Sequence, residues 1–384
     1  MLKLKELRFL AAKRVVFLIL FTIVLMVSDA PSVPHPDSAP LLSQPLTIRW
    51  KYGSNVTLNL TPAYDSERVY LPLAGGAIVS LKAMDGQLFW RTEIGGELSA
   101  SPIADDSNIY VASEAIAPAG EPTKSAGALR ALGREGGVTQ WMTPLVKPLR
   151  GSLAISGERL FGGGSDGRAY AFDKRTGGIF WSIAFQTPLS AQPVAQGGRV
   201  YFGAEDGTLF ALEEATGKLL WRYRTKGAIR GPAAVADGMV FFGSGDGYVY
   251  AVSADKGQLI WRKRTGGGVE AVGLAGEALL AASLDNFAYL LSLKGSMIWR
   301  RQLPGRISAQ PLTIQEAALF TPLSSSNAVV LALRDGKQLN SLSAGEELTS
   351  SASPIVVAET VFVTTEHGLL AFARPIAATT KTTP

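Results

Sequence analysis

No cysteine occurs in the 384 residues of this chain. Its absence excludes disulfides, thiolate metal sites, a cysteine nucleophile and an N-terminal lipid carried on a thiol. Histidine is almost as scarce, with only His35 and His367, so imidazole-based metal or triad chemistry has little material. Helical signal is missing too: beyond the first thirty residues no segment carries a 3.6-residue apolar stripe. Charge is sparse, at 18% of residues. The formal net charge is +5, yet Lys3, Lys5, Arg8, Lys13 and Arg14 against Glu6 and Asp29 supply +3 of it (five minus two), leaving +2 for the rest. The sequence pI of about 9.3 therefore lends little weight to nucleic-acid binding, and none is expected.

What the chain has instead is glycine, 41 residues of it, in a composition that is 47% hydrophobic. That is a turn-rich globular composition. Its basic start runs into Val15–Val27 (VVFLILFTIVLMV), and Ser28-Asp29-Ala30 places small residues where an export signal is cut. Thirteen apolar or near-apolar residues fall short of the roughly 17–25 that span a bilayer, which favours a cleaved signal. Pro31, directly after Ala30, disfavours cleavage, so an uncleaved anchor stays open. On either reading residues 1–30 direct the body to the periplasm or cell envelope, and membrane contact is confined to this segment. Residues 31–45 form a proline-rich linker, 46–375 the folded body and 376–384 a frayed tail.

The seven tryptophans stand on a ruler: Trp50, Trp90, Trp141, Trp181, Trp221, Trp261 and Trp299, with gaps of 40, 51, 40, 40, 40 and 38 residues. Each except Trp50 has a glycine four residues earlier, at Gly86, Gly137, Gly177, Gly217, Gly257 and Gly295, and Gly336 repeats the step before Asn340. A fixed period of this length means one supersecondary unit repeated. In the fourth unit, Leu189–Ala195, Arg199–Ala204, Thr208–Leu212 and Leu219–Tyr223 read as four short strands, β-branched and aromatic, with Gly and Asp between them. Four strands per forty residues predict an all-β, eight-bladed β-propeller of four-stranded antiparallel blades. Seven units are complete. Leu348–Arg374 supplies three more strands, and the lone Leu46–Tyr52 strand is predicted to close this last blade as its outermost element, sealing the ring against exposed edges. Trp50 then lacks the glycine because no turn precedes its strand. Buried at blade contacts, each indole removes roughly 150–250 Å² from water, about 4–6 kcal/mol as an upper estimate, so these tryptophans and glycines read as structural docks.

The fourth repeat, Ala211–Trp221 (ALEEATGKLLW), resembles the tryptophan-docking motif of pyrroloquinoline-quinone-like (PQQ-like) propellers, and Ala171–Trp181 and Ala251–Trp261 match it nearly as well. The resemblance spans about 46–374, and no Gly-His and Trp-Asp pair of WD repeats recurs. Two branches of this type compete. One is the BamB family of outer-membrane assembly scaffolds, similar in its export signal, bare ring and N-terminal closing strand, though its members are lipoproteins and this chain has no cysteine to acylate. The other is the quinoprotein dehydrogenases, whose resemblance implies long inserts and usually adjacent cysteines. The scaffold branch implies a non-catalytic monomeric propeller that binds envelope proteins through inter-blade loops, with a Leu-Arg-Gly pattern matched here by Leu149-Arg150-Gly151 and Ile229-Arg230-Gly231. The alternative is a periplasmic quinone- and calcium-dependent oxidoreductase, or a ligand-sensing propeller.

Residue chemistry favours the first branch. A quinoprotein needs an aspartate base and an oxygen-rich calcium site, a carboxylate with an amide. Asp85, Asp166, Asp206, Asp246 and Asp335 all precede glycine, which is turn chemistry. No catalytic, cofactor-binding or metal-binding residue is assigned. The triple glycines 162–164 and 266–268 lack the helix and Gly-Lys-Ser/Thr of a phosphate loop and are expected to permit close strand approach near the axis. About eleven extra residues lie in the second repeat, near Glu114–Gly127. Finally, Arg222, Arg224, Lys226, Arg230, Arg262, Lys263, Arg264, Arg300, Arg301 and Arg306 follow three consecutive tryptophans and predict one basic sector. Protection of strand edges is preferred there over binding of an acidic partner.

Overall fold

Short apolar runs alternate with glycine turns, and the described residues contain 33 strands, β1–β33 in chain order, and no helix. The computed structural model describes residues 42–54, 57–114 and 127–375. The strands form eight antiparallel sheets, the blades of a β-propeller. In the fourth blade, β15 (Val194–Gln196), β16 (Arg199–Gly203), β17 (Thr208–Glu213) and β18 (Leu219–Arg224) run in order from inside to outside. The innermost strand is shorter than the expected Leu189–Ala195. Pro193 has no N–H for a ladder, and the residues before it swing toward the axis. In the second blade two fragments, β6 (Glu97–Leu98) and β7 (Ile103–Ala104), share that inner position on β8 (Asn108–Glu114). The segment read from sequence as an export signal, most of the residues read as linker, residues 115–126 of the second repeat and those read as a tail lie outside the described residues.

The closing blade has the order β1-β33-β32-β31. Thr47–Gly53 (β1) pairs antiparallel with Gly368–Ala373 (β33), as predicted from the two remnants. Middle strands are buried on both faces, as in β3 (Arg68–Leu73) and β32 (Thr360–Thr365), because each blade is packed between two others.

Every outer strand carries a bulge at the residue before the tryptophan position, at Arg49, Phe89, Gln140, Phe180, Leu220, Ile260, Ile298 and Leu339. Such a bulge kinks the strand and re-aims the next side chain, here toward the following blade. Each indole Nε1–H then donates to one backbone carbonyl there: Trp50 to Ala83, Trp90 to Arg134, Trp141 to Lys174, Trp181 to Glu214, Trp221 to Ala254, Trp261 to Leu293 and Trp299 to Leu333, at 2.7–3.1 Å. The glycine ahead of each tryptophan receives the indole of the preceding blade. Gly86 lies on Trp50, Gly217 on Trp181 and Gly257 on Trp221, and a Cβ on Gly257 would stand 2.5 Å from the Trp221 ring. Its φ of 66° adds the left-handed backbone that favours glycine.

Asn340 stands at the eighth position, where the next blade offers no such turn because its outer strand comes from the N-terminal side. The Asn340 amide instead donates to the carbonyls of Leu42 (3.2 Å) and Gln44 (2.7 Å). Leu42 and Leu46 are buried in the seam between the seventh and eighth blades, against Ala317, Leu319, Leu342 and Phe372. Leu42, within the segment read from sequence as linker, therefore belongs to the packed body.

Two outcomes are expected. Trp221→Ala should cost about 3–5 kcal/mol. Gly257→Ala should also destabilise, and the two should combine sub-additively in denaturant titrations, since removing the indole leaves only backbone strain at Gly257. Strict additivity would show that the two do not touch. At the seam, Leu42→Ala should cost about 2–5 kcal/mol and Asn340→Ala about 1–2 kcal/mol. The readout is the melting temperature of the full chain, and no change for Leu42→Ala would disprove seam packing.

Candidate functional site

The face opposite the tryptophan docks is built by the loops between blades and by the middle turn of each blade, and it surrounds the mouth of an axial channel. All eight blades line this mouth, a space of about 310 Å³ walled mainly by Ser, Thr, Gln and Gly side chains or backbone, with Arg230 and Glu270 as its charged groups. A second space of about 390 Å³ adjoins it and shares Thr61, Ser101, Ser152, Gln192, Gln310 and Ser353. Hydroxyls and amides dominate because inner strands converge here, leaving room only for small side chains.

The two Leu-Arg-Gly-like segments occupy equivalent places in blades three and five, and each of their residues has a separate task. Leu149 and Ile229 are fully buried. Leu149 packs on Gly162 and Ile229 on Gly203, so neither offers surface to a partner. A Cβ on Gly151 would meet the Ser190 carbonyl oxygen at 2.1 Å, and one on Gly231 the Glu270 carbonyl oxygen at 2.0 Å. Glycine is thus required by the close approach of the next blade's backbone. Only the arginines reach the surface.

Arg150, with 41% of its side chain exposed, pairs with Glu114 at 2.6 Å beside the extra residues of the second repeat. Arg230, 53% exposed, pairs with Glu205 at 2.9 Å and lies 3.8 Å from Glu270. The Ser190 hydroxyl donates to the Glu205 carboxylate. Burial pushes the Glu205 carboxyl up, but the Arg230 guanidinium and the Ser190 hydroxyl outweigh it and hold the group below the ordinary range. Burial raises Glu270; Arg230 offsets part of this, while the Glu205 charge adds to it. Glu205, Glu270 and Ser190 escaped the reading of the sequence. Their signal was positional, because Val269-Glu270-Ala271 aligns with Ile229-Arg230-Gly231 and exchanges one charge for the other.

The remaining candidates are dispersed. Asp85, Asp166, Asp206 and Asp335 each accept the backbone N–H two residues on, the geometry of a turn. Asp246 differs, accepting from the Lys226 N–H of the preceding inter-blade loop and from the Tyr250 hydroxyl of its own blade. Gly162 and Gly163 admit Leu149 and Leu189 between inner strands. Gly266–Gly268, expected near the axis, instead form the loop between blades five and six, where Gly266 N–H donates to Asp285. Arg230, grouped by sequence with the basic sector, turns to the channel while the strand-borne cations stay on the rim. Among the described residues no group of three His, Asp or Glu is placed to hold a metal ion, and no helix is long and apolar enough to cross a membrane.

The family model described as outer membrane protein assembly factor BamB matches residues 45–120, 125–229 and 225–381. The chain belongs to this family. Among solved structures, BamB from Moraxella catarrhalis is 17% identical with a TM-score of 0.70, covering 87% of this chain and 98% of that one. The computationally designed Ika8 protein is 16% identical with a TM-score of 0.70, over 84% and 98%. The quinohemoprotein alcohol dehydrogenase from Comamonas testosteroni is 11% identical with a TM-score of 0.67, over 88% and 78%. At these identities the structures share the fold with this chain. No curated protein matches the sequence.

A pH test follows for this BamB-family channel mouth. The raised Glu270 means that the folded state holds a proton there which the unfolded state releases. Stability should therefore fall as pH rises from the unfolded carboxyl value, near 4.5, through the higher folded value. Glu270→Gln should melt at the same temperature as the parent near pH 4.5 and higher at pH 7–8. A lower melting temperature at pH 7 would show that the Arg230 ion pair outweighs burial.

Proposed function

We propose that this chain is a non-catalytic scaffold of the cell envelope that binds a partner protein in outer-membrane β-barrel assembly. The observation that carries this reading is the presentation of Arg150 and Arg230. Both guanidinium tips stand exposed on one face, on backbone fixed by Gly151 and Gly231. Each is preorganised by an acidic neighbour, so little side-chain entropy is lost on binding. Membership of the BamB family supports the same role. A quinone with calcium fits this mouth poorly. Its lining contains no aspartate and no aromatic ring, and its one carboxylate, Glu270, lies beside a competing arginine.

Crosslinking in the native envelope, followed by identification of the captured proteins, tests the assignment. Arg150→Glu, and Arg230→Met in place of a reversal that would crowd Glu205 and Glu270, should each reduce capture at least tenfold. The circular-dichroism spectrum should stay near the parent's in both, and the melting temperature near it for Arg150→Glu, whereas Arg230→Met should melt lower because Glu205 and Glu270 lose their shared cation. Unchanged capture would remove both residues from the interface, and turnover of an alcohol or sugar after loading with quinone and calcium would sink the scaffold reading.

A further inference from the structure

The rim carries an asymmetry that lies apart from the channel mouth. The eight outer strands together hold ten Lys or Arg: Arg49 and Lys51 on β1, Arg91 on β5, two on β18, three on β22 and two on β26. Seven of the ten lie on the last three, which are adjacent blades and contain no carboxylate. Edge protection alone would spread charge over all eight edges. Yet β14 (Ile179–Ala184) has no charged residue and β30 (Gln338–Leu348) has only glutamates.

Geometry narrows the use of these cations. Arg222 and Arg224 are two apart on β18, so both side chains leave the same face. They line a cleft of about 550 Å³ between blades three and four, together with Phe185, Thr187, Asp206 and Phe210. Arg224 has a loose partner in Asp206, at 3.7 Å, while among the described residues no ion pair engages Arg222. On β22, Arg262 rests over the Tyr248 ring at 4.9 Å, and Arg264 lies two residues on. On β26, Arg300 rests over Phe287 at 5.4 Å. Each of these strands is the last of its sheet and presents the backbone groups of one side to any strand that adds to it.

We propose that the outer edges of blades four and five accept an extended acidic polypeptide segment as a fifth strand, with carboxylates at alternate positions. Alternate residues of such a strand project to one face about 6.8 Å apart, the spacing of Arg222 and Arg224 and of Arg262 and Arg264. Directly opposed unlike charges stabilise a cross-strand pair, and arginine binds a carboxylate through two parallel hydrogen bonds. The same cations repel basic strands and stay unpaired beside neutral ones, so protection of the edge and selection of an acidic strand share one electrostatic origin. A flat anionic bilayer is disfavoured, because these edges fan out around a convex rim.

The test uses the full-length protein and synthetic labelled peptides in fluorescence anisotropy. A peptide alternating Glu with Thr or Val should bind at least tenfold more tightly than an isomer of the same composition with its glutamates in one block. Replacing the arginines by the residues of blade three, Arg222→Ser with Arg224→Ala and Arg262→Ser with Arg264→Ala, should weaken binding at least tenfold while the melting temperature holds. N-methylation of alternate peptide amides should abolish it. Equal binding of the two isomers, or retention by the methylated peptide, would overturn strand addition. Preferential binding of polyphosphate or of anionic phospholipid vesicles, competing the peptide away, would overturn the choice of an acidic polypeptide.

Discussion

The contact between one indole and one glycine in the next blade is the constraint on which the remaining structure rests. Blades of a propeller pack face to face through side chains that fan apart with radius, so the outermost strands have the least to hold them. A bulge in each outer strand turns the tryptophan across that widening gap, and the Nε1–H finds a carbonyl that its own turn would leave to solvent. The glycine is dictated from the other side, because any Cβ would fall within the ring's van der Waals surface. Side chains reinforce the same joints. Arg134, whose carbonyl accepts from Trp90, reaches back to Asp65 at 2.6 Å, and Lys174 reaches Asp105 at 3.3 Å.

A ring of eight such joints has one that cannot be made in the same way. Closure by β1 gives the last blade its outer strand but removes the turn that would have held the glycine. An eighth indole at position 340 would have no receptor. An amide does, because the chain leading into β1 passes over the seam and offers the carbonyls of Leu42 and Gln44. The apolar half of the joint is supplied separately, by Leu42 and Leu46. The seam thus divides between three residues what Trp221 does alone elsewhere.

This division explains what was legible in the sequence. The forty-residue period, the four-strand unit and the N-terminal closure were visible, because they depend on spacing and on strand and turn composition. Which blade each glycine serves was not. In a periodic chain, a glycine four residues before one tryptophan is also about 36 residues after another. The two ends alone break the tie: Trp50 has no glycine before it, and Gly336 precedes no tryptophan. Leu42 was hidden for a different reason, since a leucine among prolines signals nothing until the seam it fills exists. The ion pairs of Arg150 and Arg230 were likewise invisible, because their partners come from neighbouring blades or from turns far along the chain.

The division of labour between faces bears on how such a ring accommodates a binding role. The face with the docks is committed: its turns carry the glycines and carbonyls on which every joint depends, so changes there cost stability first. On the opposite face the inter-blade loops need a buried aliphatic residue and, where the next inner strand comes close, a glycine. The residue between them is fixed by neither requirement. It is Arg150 in one blade, Ser190 in the next, Arg230 in the third and Glu270 in the fourth, on backbones held alike. A propeller of this kind can therefore alter the charge pattern at its mouth one blade at a time without touching the contacts that close it. The rim has the same freedom at alternate positions after the tryptophan, where Ser182, Arg222, Arg262 and Arg300 follow four equivalent docks.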